Sequence, residues 1–431
     1  MGRLYDNVRK ANRLRSAWRV IFQNGISSKS FETRNEILDF ADDAEKHLSR
    51  IGRQLLQDRF HFAPQHGIAV NKKNKPGKKR PIVKSPIPNR IVQRAILDVL
   101  QELPEIKIIQ ESQFNFGGVS EIGVPQAITK AYQLSIDYPY FIRTDICAFF
   151  VNIPRDVALQ KITSITFDEK FNSLLQQATV TELDNLVTLG RDGELFPLEG
   201  KGVAQGSCLS PLLCNVLLHD FDKQMNGRGV VCIRYIDDFI LFAKNKTYAF
   251  KALASAQSHL AKLNLEVYDP RNSPDKAEHG NSVNGFEFLG CDVKRDRVSP
   301  TKKCRSRLME RVGLIFRNAL NSTSDPIQAI SDRRSYAETI STLSNTIRGW
   351  GNTYAFCTDD RLMVSIDSSL DEKIAKFNQT YKRLLTHKKP EDKRRLLGIF
   401  LLQDCKKDLV LRSIVSEVAN RDKTNANLKK Q

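Results

Sequence analysis

The sequence predicts an α+β protein in which helical end regions flank a mixed α/β centre. Three observations support this prediction. Apolar residues recur at helical spacing in the first 65 residues, and the chain after residue 300 is again helical in pattern and strongly basic. The centre instead contains two stretches rich in β-branched and aromatic residues, YFIRTDICAFF and VVCIRYIDDFILFAK.

The N-terminal region and the segment after it predict helices separated by a basic loop. Residues 71–83, NKKNKPGKKRPIV, carry the turn signal Pro76-Gly77 between two basic arms. A further helix is predicted over residues 88–103, where apolar side chains share one face. The apolar positions that predict N-terminal helix are Ile37, Phe40, Ala41, Ala44, Leu48, Ile51 and Leu55.

The central segments predict strands and one more helix. YFIRTDICAFF, from residue 140, is typical of a buried strand. GVAQGSCLSPLLCNVLLHDFDKQM begins as a glycine-containing loop and continues as a helix with an apolar face. VVCIRYIDDFILFAK predicts two apolar strands joined by a polar turn, which is a hairpin.

The charge balance indicates a polyanionic partner. The chain of 431 residues has 67 Lys and Arg against 49 Asp and Glu, a formal net charge of +18. Nucleic acid is the commonest partner of such a surface. The alternative is a basic protein without a polyanionic partner.

Cysteine usage and hydropathy predict a cytoplasmic protein with no membrane partner. None of the eight cysteines forms a C-x-x-C pair or a zinc-spaced cluster, and most lie in apolar runs. This pattern is typical of core thiols in a reducing compartment. The first residues, MGRLYDNVRKANRLRSAW, contain no signal-peptide apolar stretch, and no apolar run reaches the roughly 18–20 residues of a membrane span.

Three aspartates are candidates for metal-assisted phosphoryl transfer. Asp237 and Asp238 lie at the predicted hairpin turn, and Asp145 lies near the end of the predicted strand. Mg²⁺ prefers oxygen ligands, and carboxylates that converge from different segments can hold two ions roughly 3.5–4 Å apart. The alternative is structural, because Asp is common in turns for its backbone preferences.

The order and spacing of five motifs resemble the reverse transcriptases, specifically the bacterial branch with group II intron, retron and defence-associated enzymes. The resemblance covers residues 70–300 and implies a right-hand polymerase fold with fingers, palm and an α-helical thumb. The motifs are RPI at 80–82, RTDICAFFVNIPRD at 143–156, GVAQGSCLSPLLCNVLLHDFD at 202–222, RYIDDF at 234–239 and FEFLG at 286–290. The implied domains are an N-terminal helical extension at 1–65, fingers at 66–140, palm at 141–300 and a basic helical thumb at 301–431.

The resemblance assigns the metal ligands and a sugar gate. Asp145, Asp237, Asp238 and the backbone carbonyl of Ile146 would hold two Mg²⁺ ions, for which Mn²⁺ can substitute. Phe150 matches the aromatic gate under the sugar of the incoming nucleotide, which leaves no room for a 2′-hydroxyl and predicts a DNA product. Phe149 and Phe150 are both candidates for core residues, and we expect one of them to be core and Phe150 to be the gate.

The resemblance also implies nucleotide contacts in the fingers. Lys73, Lys78 and Arg80 match cations that grip the triphosphate, and their plain alternative is a solvated basic loop. Gln205 and Gly206 match a loop that contacts the nascent base pair and the template. The chain departs from this pattern at Ala204, where most relatives have Pro, which is expected to alter loop stiffness rather than chemistry.

Primer contacts are implied next to the turn and at the FLG motif. Tyr235 would lie against the primer end. Lys276 matches only loosely a general acid that protonates pyrophosphate. Trp350, in a stretch that resembles the thumb of group II intron proteins, is expected to be a core anchor rather than a base-stacking residue. The turn that would hold the primer strand consists of Phe288, Leu289 and Gly290.

The expected function is RNA-directed DNA synthesis from dNTPs on a structured non-coding RNA, giving cDNA, in antiviral (anti-phage) defence. No zinc-binding cysteine pattern or HNH endonuclease follows the thumb, which disfavours a mobile intron protein. The alternatives are a group II intron-type maturase, a retron enzyme, and an inactive palm that serves as an RNA scaffold. The intact set of carboxylates disfavours the scaffold, since three converging carboxylates repel one another without metal. The residues are compatible with priming from an RNA 2′-hydroxyl, from a cDNA end, or from a Tyr or Ser of the protein, and with any oligomeric state.

Overall fold

The computed structural model describes residues 4–28, 30–71, 77, 79–197, 200–227 and 229–402. The chain divides into two compact units, residues 1–296 and 297–431. Lys73 and Lys78 lie outside the described residues.

The first unit combines helices with strands, as the sequence predicts. Two 3₁₀ segments complete it, Gly190–Leu195 and Ser282–Asn284. Its helices are α1 Leu4–Arg9, α2 Ala11–Ile26, α3 Phe31–Asp42, α4 Ala44–Leu56, α5 Ile87–Gln101, α6 Pro104–Gln110, α7 Val124–Asp137, α8 Phe149–Asn152, α9 Arg155–Thr166, α10 Glu169–Thr179, α11 Leu186–Leu189, α12 Ser210–Gln224 and α13 Lys246–Ala261. Its strands are β1 His66–Asn71, β2 Lys79–Lys84, β3 Tyr140–Asp145, β4 Val230–Tyr235, β5 Asp238–Ala243, β6 Glu278–Asn281, β7 Phe286–Phe288 and β8 Cys291–Val293.

The predicted N-terminal helices are confirmed as far as Leu56, and residues 57–65 are not helical. Helix α5 confirms the helix predicted over 88–103 and is buried nearly all round, with α1, α2, α6 and α10 packed against it. Its partly exposed positions include Arg90, Arg94 and Asp98, which share one face of the helix. The basic segment at residues 71–83 is not all loop, because residues 79–83 belong to β2, which pairs with β1 as an antiparallel hairpin.

A four-stranded sheet occupies the centre of the first unit in the part of the chain that the structure describes. Its strand order is β4-β5-β3-β6, and each neighbouring pair is antiparallel. Both faces are covered: Ile142 and Leu241 join the main core, whereas Phe141 and Phe242 pack against Phe286 of β7. A sheet covered on both faces holds the ends of its strands rigidly.

The strand predicted over YFIRTDICAFF is shorter than expected. Strand β3 ends at Asp145, and the chain then turns through Ala148, whose φ of 45° is left-handed, into helix α8. The backbone amides of Ile146 and Cys147 leave the sheet pattern and donate to the carbonyls of Asp237 (3.1 Å) and Glu266 (2.8 Å). Beyond Asp145, Ile146 keeps a single antiparallel bridge, to Val267, and Phe149 is buried in the core without strand pairing.

The second unit is helical, as predicted. Phe316 and Phe377 stack with ring centroids 4.4 Å apart at its core, and the Tyr381 hydroxyl donates to the Leu396 carbonyl at 2.7 Å. Trp350 packs against this core, in agreement with its predicted role as an anchor. The elements of this unit are β9 Val298–Pro300, α14 Lys302–Ser322, α15 Pro326–Ser331, α16 Tyr336–Tyr354, α17 Asp360–Thr386 and α18 Pro390–Leu397. No helix among the described residues is long and apolar enough to cross a membrane.

Candidate active site

Three carboxylates meet at one end of the central sheet. Strands β4 and β5 form the predicted hairpin, and Ile236 and Asp237 are its two-residue turn. The register pairs Asp145 at the end of β3 with Asp238 at the start of β5. Paired residues on adjacent antiparallel strands have Cα atoms roughly 4.5–5.5 Å apart. The sheet therefore brings together the aspartates that the sequence singled out.

The turn has an unusual backbone. Ile236 has a φ of 60°, a left-handed conformation that β-branched residues rarely adopt. The Ile146 amide donates to the Asp237 carbonyl at 3.1 Å, which ties the turn to the chain just after β3. Ile146 itself is 1% exposed and lies directly beside the carboxylates.

The site is electrostatically unfavourable for its own charges. Burial, followed by the neighbouring carboxylates of Asp237 and Asp145, raises the pKa of Asp238 to about 7. Burial also raises the pKa of Asp237, and Asp145 acts in the same direction. Like charges in a desolvated site disfavour joint ionisation unless a cation compensates them.

Cations from other elements lie near the carboxylates. Arg143 and Lys276 lower the pKa of Asp238, and Arg80 of β2 lowers that of Asp237, against the larger effect of burial. The Lys276 ammonium also lies 4.9 Å from the ring centre of Tyr268. Arg80, singled out as a triphosphate contact, is thus close enough to the site to act on it.

The donor set fits a hard divalent cation. Among the described residues no group of three or more His, Cys, Asp or Glu side chains has the geometry of a metal cluster. The three carboxylates are nevertheless oxygen donors on adjacent backbone positions, and the raised pKa values of Asp237 and Asp238 indicate charge that a cation would compensate.

The two phenylalanines after Asp145 differ in burial, as expected. Phe149 is 1% exposed and lies in the core, whereas Phe150 is partly buried at its edge. Their rings meet edge to face with centroids 5.9 Å apart. The Phe150 carbonyl accepts from the Val203 amide at 2.8 Å, which fixes its backbone to the loop before α12.

The Gln205–Gly206 loop lies against strand β2. The Val83 amide donates to the Gln205 carbonyl at 2.9 Å, and Gly206 has a φ of 130°. A Cβ at Gly206 would lie 2.5 Å from the Val83 carbonyl oxygen. Only glycine fits this close approach, which joins the loop to the strand that carries Arg80.

The residues predicted to hold the primer divide into exposed and buried ones. Tyr235 is half-buried immediately before the turn. Phe288 is a core side chain, 2% exposed, so it offers no surface to a primer. Leu289 and Gly290 form the β7–β8 turn with φ values of 46° and 82° and are only partly buried.

The structure adds residues that the sequence reasoning did not single out. Arg234, three residues before Asp237, is fully buried and forms an ion pair with Asp222 of α12 at 2.6 Å. The feature of the sequence that points to Arg234 is its position as a charged residue inside an otherwise apolar predicted strand. Arg143 of β3, which acts on the pKa of Asp238, is a second charged residue inside an apolar strand.

Comparison with known proteins decides the family. The family model described as reverse transcriptase (RNA-dependent DNA polymerase) matches residues 70–293, just over half of the chain. The chain belongs to the reverse transcriptase family. The predicted enzyme class, RNA-directed DNA polymerase, and the predicted fold class, an α+β right-hand polymerase fold, are confirmed.

The relatives of this reverse transcriptase are distant. Protein YkfC of Escherichia coli (strain K12) is 25% identical over 286 residues, which cover 57% of this chain and 70% of YkfC. The group II intron-encoded protein LtrA of Lactococcus lactis subsp. cremoris is 25% identical over 211 residues, 47% of this chain and 32% of LtrA. The matched region thus spans about a third of LtrA.

The similarity to solved structures is low. Apo telomerase from Candida Tropicalis has a TM-score of 0.41 and 14% identity, covering 78% of this chain and 69% of that chain. A Cas6-RT-Cas1–Cas2 complex has a TM-score of 0.34 and 21% identity, covering 60% of this chain and 26% of that chain. The family assignment rests on the sequence match alone.

Proposed function

We propose that this reverse transcriptase copies a structured non-coding RNA into cDNA by two-metal-ion nucleotidyl transfer, and that it serves antiviral defence. The observation that carries the catalytic part is the pairing of Asp145 with Asp238 beside the turn that holds Asp237. No packing requirement explains three carboxylates at one end of the sheet, since Asp145 raises the pKa of Asp237 and both raise that of Asp238.

Asp145, Asp237, Asp238 and the Ile146 carbonyl would hold two Mg²⁺ ions, or Mn²⁺ in their place. When bound, these ions activate the primer 3′-hydroxyl and stabilise the leaving pyrophosphate. The chain's own contribution is to hold the oxygen donors on rigid strand ends, so that little rearrangement is needed for reaction.

The remaining candidate residues would position the nucleotide. Arg80, with Lys73 and Lys78, would grip the triphosphate, and its proximity to Asp237 supports this role. Phe150, at the edge of the core rather than within it, would exclude a 2′-hydroxyl. Gln205 and Gly206 would contact the nascent base pair from a loop fixed to β2.

We assign residues 1–65 to an N-terminal extension, 66–140 to fingers, 141–300 to palm and 301–431 to thumb. A basic groove supports the nucleic-acid role of the second unit. The groove lies between α14 and α17 and has a volume of about 610 Å³. Its basic lining residues are Lys302, Arg305, Arg317 and Lys373. The buried Nε of Arg305 has no hydrogen-bond partner among the described residues, as expected of a donor that awaits a phosphate.

A second candidate is a group II intron-type maturase or a retron enzyme. The similarity to LtrA favours the intron type for the matched region. The genomic neighbourhood separates the candidates, because intron boundaries around the gene support a maturase and an adjacent structured RNA supports defence or a retron.

Sequencing of co-purified nucleic acid tests the template proposal. Wild-type protein and Asp237→Asn would be purified from cells that carry the native flanking DNA. We expect one discrete RNA in both samples and complementary DNA in the wild type alone. A mixture of unrelated cellular RNAs in both samples would contradict a dedicated template.

A further inference from the structure

Arg234 and Asp222 form a buried ion pair directly behind the turn. Arg234 is 1% exposed and Asp222 is 3% exposed. The Arg234 Nε and Nη2 donate to the two oxygens of Asp222 at 2.8 Å and 2.6 Å. Such pairs contribute little net stability, because the cost of desolvating two charges offsets their attraction.

The same guanidinium also binds the backbone of the turn. Its Nη1 donates to the Ile236 carbonyl at 2.9 Å and to the Asn215 Oδ1 at 3.2 Å. The Ile236 carbonyl belongs to the peptide that leads into Asp237. Arg234 therefore restrains the peptide group that sets the direction of the Asp237 side chain.

The turn needs this restraint because its backbone is strained. A β-branched residue at a φ of 60° is strained and persists only where surrounding contacts enforce it. The ion pair and Asn215 hold the turn from the side of α12.

Residues 114–118 hold the turn from the other side. The Phe116 amide donates to the Arg234 carbonyl at 2.9 Å, and the Arg234 amide donates to the Phe114 carbonyl at 2.8 Å. The Asn215 Nδ2 donates to the Gly117 carbonyl at 2.9 Å. A Cβ at Gly117 would lie 2.5 Å from the Ile236 amide nitrogen, so the two backbones are in direct contact.

We propose that Arg234 is a positioning residue that fixes the Ile236–Asp237 peptide, and that Asp222, Asn215 and Gly117 complete this turn clamp. The inference rests on the proposed catalytic role of Asp237 and deepens it. The clamp sets the metal affinity of the site through geometry, and its ion pair orients the guanidinium rather than stabilising the fold.

The test replaces both charges at once, in Arg234→Met/Asp222→Leu. This double variant leaves no buried charge unpaired and keeps the net charge, so it is expected to fold with a melting temperature near that of the wild type. It loses the hydrogen bond to the Ile236 carbonyl. We expect Mn²⁺ binding, followed by electron paramagnetic resonance, to weaken about tenfold, and kcat for primer extension to fall while KM for dNTP stays within about twofold.

A folded double variant with wild-type Mn²⁺ affinity and kcat would overturn the proposal. If the double variant does not fold, Gly117→Ala tests the clamp from its other side, against the control Gly123→Ala, whose Cβ would meet its nearest atom at 3.7 Å. Weaker Mn²⁺ binding in Gly117→Ala than in Gly123→Ala supports the clamp, and equal binding or a failure of Gly117→Ala to fold opposes it. A wild-type protein that binds Mn²⁺ but extends no primer would reject the proposed function and leave the clamp to be judged on Mn²⁺ binding.

Discussion

At the scale of single residues, the candidate site combines burial with like charge. Asp238 lies at the start of a strand beside two other carboxylates, and burial with these neighbours raises its pKa to about 7. Such an arrangement lowers the stability of the metal-free protein and makes the site favourable for cation binding.

We predict that Asp238→Asn stabilises the metal-free protein at pH 8. The raised pKa means that the folded state binds the Asp238 proton more tightly than the unfolded state does. The stabilisation of the fold by this tighter proton binding is fully present below about pH 4 and is lost as the pH rises through about 7. Above pH 7 the variant should therefore gain on the order of 1–4 kcal/mol in the free energy of unfolding.

Thermal melts of both proteins at pH 4 and pH 8 check this prediction. The gain should be confined to pH 8 and should shrink when Mg²⁺ is added, because the ion compensates the carboxylate. A variant that is less stable than wild type at pH 8 without metal would show that the Asp238 charge is not a source of strain.

A second residue-scale prediction concerns Phe150. Removal of its ring in Phe150→Val should admit ribonucleotides, and we expect the ratio of kcat/KM for dNTP to that for rNTP to fall at least about tenfold. Phe167→Ala is a suitable control, because Phe167 is 90% exposed and lies between α9 and α10. Unchanged discrimination in Phe150→Val would place the sugar gate on another residue.

At the scale of elements, the sequence pattern predicted the helices and strands whose formation depends on residues nearby in the sequence. The β4–β5 hairpin and helix α5 were predictable because their apolar residues follow the period of the element. Strand β3 ended earlier than predicted because hydrogen bonds to Asp237 and Glu266, which are far away in sequence, take over after Asp145. The ion pair between Arg234 and Asp222 joins a strand to a helix, so no local period could reveal it.

The contact between the Gln205–Gly206 loop and β2 is the element-scale feature most open to test. Gly206→Ala would place a Cβ 2.5 Å from the Val83 carbonyl oxygen and push the loop away from the strand that carries Arg80. We expect KM for dNTP to rise about tenfold or more in primer extension.

Gly227→Ala is the matched control for this prediction. Gly227 has a φ of 141°, close to the 130° of Gly206, but a Cβ there would meet no atom within 4 Å. Both variants therefore carry similar backbone strain, and only Gly206→Ala adds the clash. Equal effects of the two substitutions would mean that the loop–strand contact does not position the nucleotide.

At the scale of the whole molecule, the positive charge of the chain is expected to dominate nucleic-acid binding. RNA affinity should fall linearly with salt on logarithmic axes, because each phosphate contact releases counterions. Replacement of two groove residues in Lys302→Ala/Lys373→Ala should reduce the slope by about 1 for each lost phosphate contact.

The control for the groove removes the same charge elsewhere. Lys251 and Lys262 are exposed residues of the first unit, at and just after helix α13. Fluorescence anisotropy of labelled RNA at several salt concentrations gives both slopes. A slope that falls equally in Lys251→Ala/Lys262→Ala would show that total charge, rather than the α14–α17 groove, governs binding.

The catalytic role of Asp237 is tested most directly by primer extension on an RNA template. The assay compares wild type, Asp237→Asn and the control Asp137→Asn, which removes an exposed carboxylate at the end of α7. We predict that Asp237→Asn remains folded and loses at least about a hundredfold in rate, because an amide is a weaker ligand with no charge. The control should match the wild type. Extension by folded Asp237→Asn at a rate near that of the wild type would contradict the assignment of the turn as the catalytic centre.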